Sequence, residues 1–346
     1  MKWLKLEKNS KEPIWNRKNG KIMNQKRLGK TDLYINPVGL GCMGLSHAYG
    51  SAKSQDEAID FLKESFKVGY NFFDTAEVYV GQTSDGDMSN NEELVGMALS
   101  EVRKDVVIAS KFGISIEGIT PTPNATPQSI QKSIEGTLER LNIDCLDLYY
   151  QHRIDPKVKP EIVAGEMQKL IDEGLIKAWG ISETNEEYLR RANDICPVTA
   201  IQNRYSMLAR WHEDMFPVCE ELDINFVAFS PMANGFLTGM YNKDSKFDNL
   251  DYRNNMPQYT EKGFKSAQKL IELLNNLANE KNATPAQISL AWMMCKKEYI
   301  IPIPGTTSIK NMESNFKAAN VKLSSSTILE IDELLNSLEV PVFGGH

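Results

Sequence analysis

The sequence predicts an α/β fold, an eight-stranded β/α barrel (the (β/α)8 or TIM barrel) with an N-terminal β-hairpin and extra C-terminal helices. Short apolar segments alternate with amphipathic helical segments, which is typical of a parallel sheet covered by helices on both faces. From the second strand onward the apolar segments recur roughly every 25 to 40 residues, with one long interruption before the last. An open doubly wound sheet is the alternative that this pattern leaves open.

The strands are predicted from apolar runs, and several of them end at a charged or polar residue. A polar hairpin at about 26–35 precedes them. Because the apolar runs are continuous rather than alternating, both faces of each strand are expected to be buried. The predicted barrel strands are 38–40, 71–74, 106–109, 145–150, 176–181, 198–202, 224–229 and 300–303.

Helices are indicated by apolar residues at helical spacing and by capping residues. Ile59, Leu62 and Phe66 lie on one face of a helix that is expected to end at Gly69. The segment 284–287, Thr-Pro-Ala-Gln, is a capping box. Residues 231–262 show no period, and a loop of that length in a compact domain is usually functional or mobile. The last two predicted helices are about 309–318 and 326–338.

Composition and charge exclude several classes of protein. No apolar run approaches the roughly 20 residues of a membrane span, so no membrane partner is expected. The net charge is −7, and an acidic body argues against nucleic acid as a partner. The five cysteines are scattered without a Cys-x-x-Cys pair, which indicates neither a disulfide framework nor a zinc site. The cytoplasm is the expected location, and the sequence does not decide the oligomeric state.

The domain boundary is placed near residue 26. Residues 1–25 hold seven Lys and Arg against two Asp and Glu and show no periodicity. We expect them to be a disordered or vector-derived extension, with a basic membrane-touching arm as the sharper alternative. Residues 26–346 are expected to form a single (β/α)8 barrel domain.

A glycine-rich segment, Gly39-Leu40-Gly41-Cys42-Met43-Gly44, contains a literal G-x-G-x-x-G. A Rossmann loop opens a helix directly and meets an acidic residue about 20 residues later. Here about ten polar residues precede the helix, and the next acidic residue at a strand end is Asp74. The Rossmann interpretation is therefore rejected, and the glycines are expected to let the backbone approach a ligand closely.

Four ionisable side chains follow three neighbouring strands. Asp74, Lys111 and His152 stand at the carboxyl ends of the second, third and fourth strands, and Tyr79 lies on the loop after the second. In a barrel these strand ends meet at one mouth, where catalysis occurs. Each residue alone has an ordinary structural explanation, such as a turn cap or a half-buried ring. Their placement at three adjacent strand ends indicates a catalytic site.

Chemistry can use this set of side chains. A phenol has a reference pKa of about 10, and a neighbouring ammonium is expected to lower it. Asp74 would hold Lys111 in place, and His152 can donate a hydrogen bond to a carbonyl oxygen. A substrate oxygen between Tyr79 and His152 would be polarised and then protonated. With no cluster of metal ligands in the sequence, a hydride would have to come from an organic cofactor.

These residues stand in motifs that resemble the aldo-keto reductase family over about residues 26–343. The likeness to the bacterial branch, which includes general aldehyde and ketone reductases, rests on Phe229-Ser230-Pro231 and on the Gly-x-Ser-Glu segment. The resemblance implies a β/α barrel that reduces aldehydes and ketones with NADPH. It assigns the catalytic tetrad to Asp74, Tyr79, Lys111 and His152, with Tyr79 as the general acid. The motifs that carry it are 39–44, 73–79, 110–113, 147–153, 180–183 and 303–307.

The resemblance also implies which residues bind the cofactor. Ser182 and Gln202 would bind the nicotinamide carboxamide, the ring of Phe229 would stack on the nicotinamide, and Asn315 would read the adenine. Residues 304–308 would grip the 2′-phosphate, and hydroxyls at a helix N-terminus form an anion site on physical grounds as well. The full set is Gly41, Cys42, Met43, Asp74, Ser182, Gln202, Phe229, Ser230, Pro231, Met232, Gly235, Leu237, Pro304, Gly305, Thr306, Thr307, Ser308, Asn311, Ser314 and Asn315, with no metal ligand.

The sequence departs from the family pattern in two regions. Relatives that favour NADPH usually carry a basic residue where Ser308 and Asn311 stand, so NAD(H) is the alternative cofactor to NADP(H). The loop at residues 80–89 is unusually long. Its Asp85 and Asp87 lack the glycine and glutamate spacing of a calcium loop, so a solvated polar loop is expected.

The function predicted from these observations is reduction of a small-molecule carbonyl compound. Trp179 and Tyr205, near strand ends, and Tyr49, on the first loop, are expected to form an aromatic rim suited to small or aromatic aldehydes. Two alternatives stay open. One is a nucleotide-bound sensor or regulatory subunit with little turnover. The other is a barrel isomerase or lyase that needs no hydride donor.

Overall fold

The computed structural model describes residues 25–117, 120–249 and 251–344. Except for Gln25, the predicted extension at 1–25 lies outside these ranges. An eight-stranded parallel sheet forms the centre, with neighbouring strands paired in chain order from the first to the eighth. Its strands are Leu40–Gly41, Phe72–Asp74, Val107–Phe112, Leu146–Gln151, Ile176–Ser182, Ala200–Arg204, Asn225–Phe229 and Ile300–Pro302.

The sheet closes on itself between its first and last strands. The Gly39 amide donates to the Pro302 carbonyl over 3.0 Å, and the Gly41 amide donates to Pro304 over 3.3 Å. Gly41 also forms a parallel bridge with Gly305. Since both edges of the sheet are hydrogen-bonded, the (β/α)8 barrel is confirmed and the open doubly wound sheet is wrong.

Helices cover the outside of the barrel and bury their apolar faces against it. The predicted caps are present: Thr126 accepts from the Ser129 amide, and Thr284 with Gln287 forms the capping box. In the described ranges the α-helices are Gln55–Val68, Asn91–Leu99, Pro127–Leu141, Pro160–Asp172, Glu186–Asn193, Phe216–Leu222, Glu261–Lys281, Pro285–Lys296, Ile309–Lys317 and Ser325–Asn336. None of them is both long and apolar enough to cross a membrane.

The barrel interior is packed with side chains and is plugged from below by the N-terminal hairpin. The hairpin strands are Lys26–Arg27 and Tyr34–Ile35, as the sequence predicts. Its Leu28 and Ile35 are wholly buried in the same apolar cluster as Phe72, Leu148 and other interior residues of the strands. The opposite end, where the strands run out, is therefore the open mouth.

Four segments differ from the sequence prediction. The sixth strand runs to Arg204 rather than ending at Gln202, because its polar residues continue the pairing with the seventh strand. The loop at 80–89 forms an antiparallel hairpin, Val80–Gln82 with Met88–Asn90. The aperiodic segment 231–262 holds 3-10 turns at Ala233–Thr238, Tyr252–Asn255 and Pro257–Tyr259. A further hairpin, Ile114–Glu117 with Thr120–Pro123, had no signal in the apolar pattern.

Candidate active site

One ammonium group joins three of the four predicted catalytic residues at the barrel mouth. Lys111 Nζ lies 2.6 Å from Asp74 Oδ1 and 3.2 Å from the Tyr79 hydroxyl, and it donates to the Thr75 carbonyl over 2.7 Å. All these groups are buried; Lys111 is 0% and Asp74 3% exposed. The three oxygens around Nζ use all three of its N–H donors.

The barrel strands position the side chains of Asp74 and Lys111. Asp74 is the last residue of the second strand and pairs with Gly41 on one side and Ala109 on the other. Lys111 lies near the end of the third strand, opposite Tyr150 of the fourth. Because both residues sit in hydrogen-bonded strands, the ion pair rests on rigid elements rather than on loops.

The loop that carries Tyr79 is held by a buried asparagine that the sequence analysis did not single out. Asn91 accepts a hydrogen bond from Thr75 Oγ1 and donates to the Cys42 carbonyl and to Ser46 Oγ. The Tyr79 carbonyl accepts from the Asn91 amide and from Ser46 Oγ. These contacts tie the second loop to the first and fix the position of the phenol.

His152 completes the group at the end of the fourth strand. Its ring meets the ring of Tyr79 edge to face, with centroids 5.9 Å apart. Burial, with the positive charges of Lys111 and Arg153, holds the pKa of His152 well below its usual range. The imidazole is therefore neutral near pH 7 and can donate one hydrogen bond without carrying a net charge.

Two opposing effects set the pKa of Tyr79, and the sequence predicted one of them, the lowering by Lys111. Burial raises the pKa of the phenol, and the Lys111 ammonium opposes that rise without cancelling it. Burial lowers the pKa of Lys111, but the Asp74 carboxylate and Tyr79 outweigh it, so the ammonium stays protonated. Lys111 thus acts in the predicted direction, but desolvation of the phenolate is the larger effect. Tyr79 carries its proton at neutral pH.

Asp74 accepts hydrogen bonds on both of its oxygens. Gln202 Nε2 donates to Oδ2 over 2.7 Å while Lys111 occupies Oδ1. Burial raises the pKa of Asp74, and Lys111 and Gln202 oppose this. Gln202, which the sequence places at the nicotinamide carboxamide, is thus also a support for the catalytic carboxylate.

The other predicted nicotinamide residues line the same mouth. Ser182 is buried at the end of the fifth strand, and its Oγ accepts from Arg153 Nη1 over 3.3 Å. Phe229 is half-buried at the end of the seventh strand, and the guanidinium of Arg204 lies 5.0 Å from its ring centroid. Sequence reasoning missed both arginines, although Arg153 follows His152 directly and Arg204 is two residues after Gln202.

The segment after the seventh strand adopts an unusual backbone. Ser230, Ala233 and Asn234 have positive φ values of 49°, 47° and 61°, and Gly235 follows at 97°. Such conformations cost energy in non-glycine residues and cluster at ligand sites, where consecutive N–H groups form anion-binding hollows. Pro231, Met232 and Leu237 are buried, so these three are placed to support the segment rather than to offer side chains.

The predicted phosphate end is open to solvent. Thr307 and Ser308 are exposed at the start of the helix Ile309–Lys317, and Ser308 caps it by accepting from the Asn311 amide over 3.4 Å. Thr306 Oγ1 accepts from the Ser308 amide. The first turn carries no acidic residue. Hydroxyls and a helix N-terminus without negative charge fit the phosphate of a nucleotide.

Two further predicted residues of this helix are less exposed: Ser314 is half-buried and Asn315 is buried. Ser314 Oγ lies 3.5 Å from Thr284 Oγ1, and its carbonyl accepts from Gln287 on the neighbouring helix. Asn315 is only 3% exposed. The structure brings Ser308 and Asn311 to the surface expected for the nucleotide, and the contact of Asn315 with the adenine stays a prediction.

The glycines of the first strand serve barrel closure. A side chain at Gly39 would meet the Phe72 ring at 2.5 Å, and one at Gly41 would meet the Ile303 carbonyl at 2.8 Å. These close neighbours are protein atoms of the second and eighth strands. Close approach between strands therefore explains glycine at 39 and 41, and close approach to a ligand stays a prediction. Cys42 and Met43 continue the segment, with the Cys42 side chain wholly buried.

The predicted aromatic rim is wrong for two of its three members. Trp179 and Tyr205 are 0% exposed, and Tyr205 stacks on Trp292 at 5.4 Å in the outer core. Both residues are near strand ends, as predicted, but their side chains point into the outer core rather than toward the mouth. Tyr49 does lie at the mouth, where its hydroxyl accepts from Asn234 Nδ2. In the described ranges, no three His, Cys, Asp or Glu side chains are grouped to hold a metal ion.

Comparison with known proteins identifies the family of this chain. The model of the aldo/keto reductase family matches residues 37–336. The chain is 37% identical over 310 residues to a probable aldo-keto reductase 1 of Glycine max, a match that covers 89% of this chain and 87% of the relative.

Solved structures of similar fold include two dehydrogenases or reductases. One is a thermostable aldo-keto reductase bound to the inhibitor epalrestat, with a TM-score of 0.71 and 26% identity over 90% of this chain and 100% of that one. A glycerol dehydrogenase from Gluconobacter oxydans superposes with a TM-score of 0.82 at 23% identity, over 94% of this chain and 99% of that one, a likeness of fold alone. The family match over most of its length, and the fold it shares with these structures, show that the chain belongs to the aldo/keto reductase family.

Proposed function

We propose that the protein reduces an aldehyde or ketone to an alcohol with NADPH, and that Tyr79 is the general acid. Membership of the family supports oxidoreductase activity on carbonyl compounds with a nicotinamide cofactor. The observation that carries the finer proposal is the contact of Lys111 Nζ with Asp74 and Tyr79 together, at 2.6 and 3.2 Å, in a buried mouth. Catalytic groups are typically found in such water-poor, preorganised clusters.

The proton follows a short path in this proposal. Tyr79 holds its proton until negative charge develops on the substrate oxygen, and it then transfers that proton to the oxygen. The Lys111 ammonium stabilises the phenolate that is left, and Asp74 keeps Lys111 in position. The neutral His152 donates a hydrogen bond to the same oxygen and so orients the carbonyl group.

The residues around the tetrad fit a nicotinamide nucleotide. When bound, a reduced nicotinamide supplies a hydride to the carbonyl carbon. Ser182 and Gln202 offer polar groups for an amide, Phe229 offers a half-exposed ring, and the left-handed segment at 230–235 offers backbone N–H groups. We assign the remaining cofactor contacts to Gly41, Cys42, Met43, Gly235, Pro304, Gly305 and residues 306–311.

NADPH is preferred over NADH in this proposal because of the phosphate end. The hydroxyls of half-buried Thr306 and of exposed Thr307 and Ser308 precede a helix N-terminus, which favours a second negative group. The contact is neutral in this chain, because Ser308 and Asn311 stand where a basic side chain would strengthen it. NADH is therefore expected to serve as a poorer donor rather than to be excluded.

The test is the decay of nicotinamide absorbance with NADPH and NADH against aromatic, aliphatic and sugar aldehydes. Tyr79→Phe should lower kcat by about 10²- to 10⁴-fold, because general acid catalysis contributes on that order. The dissociation constant of NADPH, measured by fluorescence quenching, should change little.

The matched control is Tyr188→Phe, which removes a buried hydroxyl that donates to Gln151 outside the proposed site. Equal rates for wild type and Tyr79→Phe would contradict the assignment of Tyr79. Tight NADPH binding without turnover of any aldehyde would instead favour a nucleotide-bound sensor.

A further inference from the structure

Two guanidinium groups at the mouth lack a carboxylate partner. Among the residues that the structure describes, Arg153 and Arg204 have no Asp or Glu oxygen within 4 Å of their side-chain nitrogens, whereas every other arginine has one. Arg103, Arg140 and Arg253 are similarly shielded from solvent, and each pairs at 2.5 to 2.7 Å. The two exceptions lie beside the proposed active site.

Arg204 lies on the inner face of the sixth strand, nearer the barrel mouth than Gln202. It lies two residues beyond Gln202 in the sixth strand, so both side chains point to the same face. Gln202 donates to Asp74, and two residues of strand raise Arg204 about 7 Å nearer the mouth. Arg204 pairs in register with Phe229, whose ring it covers.

Aromatic rings hold the Arg204 guanidinium without neutralising it. The group lies 5.0 Å from the ring centroid of Phe229 and 5.4 Å from that of Phe343 in the C-terminal segment. In the described chain its one side-chain hydrogen bond is a long one, 3.4 Å to Asn234 Oδ1. Stacking engages the faces of the guanidinium and leaves its N–H edge available, the arrangement that suits bidentate binding of a carboxylate.

Arg153 approaches the same space from the fourth strand. Its Nη1 donates to the His152 carbonyl over 2.6 Å and to Ser182 Oγ over 3.3 Å. Its charge adds to the lowering of the His152 pKa and opposes the rise of the Tyr79 pKa. Burial lowers the pKa of Arg204, and Arg153 lowers it further by repulsion.

Two shielded like charges are costly unless an anion lies between them. Glu183 acts electrostatically on Arg204, but its Oε1 accepts from the backbone amide of Arg204 rather than from the guanidinium. The opposing effects of Glu183 and of Tyr252 and Tyr49 do not offset the burial of Arg204. Among the described residues no charge fully offsets these two guanidinium groups, so their surroundings suit a bound anion.

We propose that Arg204, assisted by Arg153, binds a carboxylate of the substrate, so that the preferred substrates are oxo acids rather than neutral aldehydes. This inference rests on the proposed reductase function and names its substrate class. The carbonyl group meets Tyr79 and His152 while the carboxylate lies higher in the mouth, against the free edge of Arg204. The same positive charge raises the local concentration of anionic substrates.

The test compares two aldehydes that differ in charge at one position, 4-carboxybenzaldehyde and methyl 4-formylbenzoate. The 3-carboxy isomer and its methyl ester cover a shorter span. We expect wild type to favour the acid over the ester by at least about tenfold in kcat/KM, the range of a charge-assisted contact. Arg204→Met should lower kcat/KM for the acid by about 10- to 100-fold and leave that for the ester within threefold. Arg204→Lys, which keeps the charge but loses the planar fork, should fall between.

The control is Arg190→Met, which removes an exposed arginine that pairs with Glu186 and Glu221 far from the mouth. An equal preference for acid and ester in wild type overturns the proposal even if Arg204→Met does not fold. So does an Arg204→Met variant that slows both substrates equally and binds NADPH more weakly, because the guanidinium would then serve a cofactor phosphate. Failure to reduce any aldehyde would instead contradict the reductase function itself.

Discussion

The two ends of the proposed nucleotide site are built in opposite ways. At the reacting end, Lys111, Asp74 and Gln202 are 0 to 3% exposed and hydrogen-bonded to one another. At the phosphate end, Thr307 and Ser308 are exposed, and their hydrogen bonds serve only the turn and the helix cap. The reacting end is therefore preorganised by the protein, whereas the phosphate end is completed by its ligand.

The difference follows from the elements that carry each end. Asp74, Lys111 and His152 lie in or directly after strands that pair on both sides, so the barrel fixes their positions, and hydrogen bonds to Asn91 and Ser46 hold the loop of Tyr79. The phosphate end lies on a loop and one helix N-terminus, where the available forces are a macrodipole and unshared hydroxyls. Fixed charges in a buried site are strong and costly to disturb, while contacts at an exposed helix end contribute about 1 kcal/mol or less.

The largest effect is expected when the charge of the reacting end is removed. Lys111→Met leaves Asp74 buried without its counter-charge, which typically costs about 3 to 5 kcal/mol of the free energy of unfolding. Activity should fall by at least about 10²-fold, because Tyr79 loses the ammonium that stabilises its phenolate. Urea unfolding and aldehyde reduction measure the two effects.

The double variant Lys111→Met with Asp74→Asn is the control for that comparison. Because it removes both charges, it should recover at least about 1 kcal/mol of the lost stability while remaining inactive. If Lys111→Met were as stable as wild type, Lys111 and Asp74 would not form a buried ion pair.

A smaller effect is expected from Glu77, on the loop between Asp74 and Tyr79. Burial raises the pKa of this carboxyl to about 7. The folded state therefore holds its proton more tightly than the unfolded state, and this contribution to stability is lost as pH rises from about 4.5 to about 7. Glu77→Gln removes the titration, so the stability of the variant relative to wild type should rise by roughly 2 to 3 kcal/mol between pH 5 and pH 8.

Urea unfolding at pH 5, 6, 7 and 8 measures this change, with the exposed Glu93→Gln as the control. A relative stability that does not change with pH would show that Glu77 is ionised in the folded protein across this range. The contrast between the two ends would then be smaller, because burial at the reacting end would shift the pKa of its carboxyl groups less.

The smallest effect is expected at the phosphate end. Asn311→Arg adds a charge in the first turn of the helix without removing its cap, and should raise the preference for NADPH over NADH by about two- to fivefold in kcat/KM. Ser308→Lys adds a similar charge but removes the capping hydroxyl, which costs about 1 kcal/mol. Asn311→Gln is the neutral control. An Asn311→Arg variant with unchanged preference would mean that the 2′-phosphate does not bind at this turn.

The sequence was sufficient to predict the barrel strands, the last two helices and the four ionisable residues at the mouth. Apolar runs ending in Asp74, Lys111 and His152 carry their own signal, because a charged residue directly after a buried strand has few structural uses. The pattern failed for Trp179 and Tyr205. In a barrel covered by helices both faces of a strand are apolar, so the sequence does not tell inward from outward residues.

Contacts between distant segments also could not be predicted from the sequence. The amide of Asn91, the bond from Gln202 to Asp74 and the stacking of Phe343 on Arg204 each join residues that are far apart in the chain. None of them follows from local periodicity, since each depends on how two loops or a terminal segment are folded over the barrel mouth.

The sequence by itself determined the class of fold, the order of its elements and the chemical groups that meet at the mouth, because these depend on periodicity and on residue type at strand ends. The tertiary structure alone decided how burial and charge balance among those groups. It left Tyr79 protonated despite its neighbour Lys111, and it left Arg153 and Arg204 without carboxylate partners in the described chain. Desolvation and pairing depend on three-dimensional surroundings, which no local pattern of residues specifies.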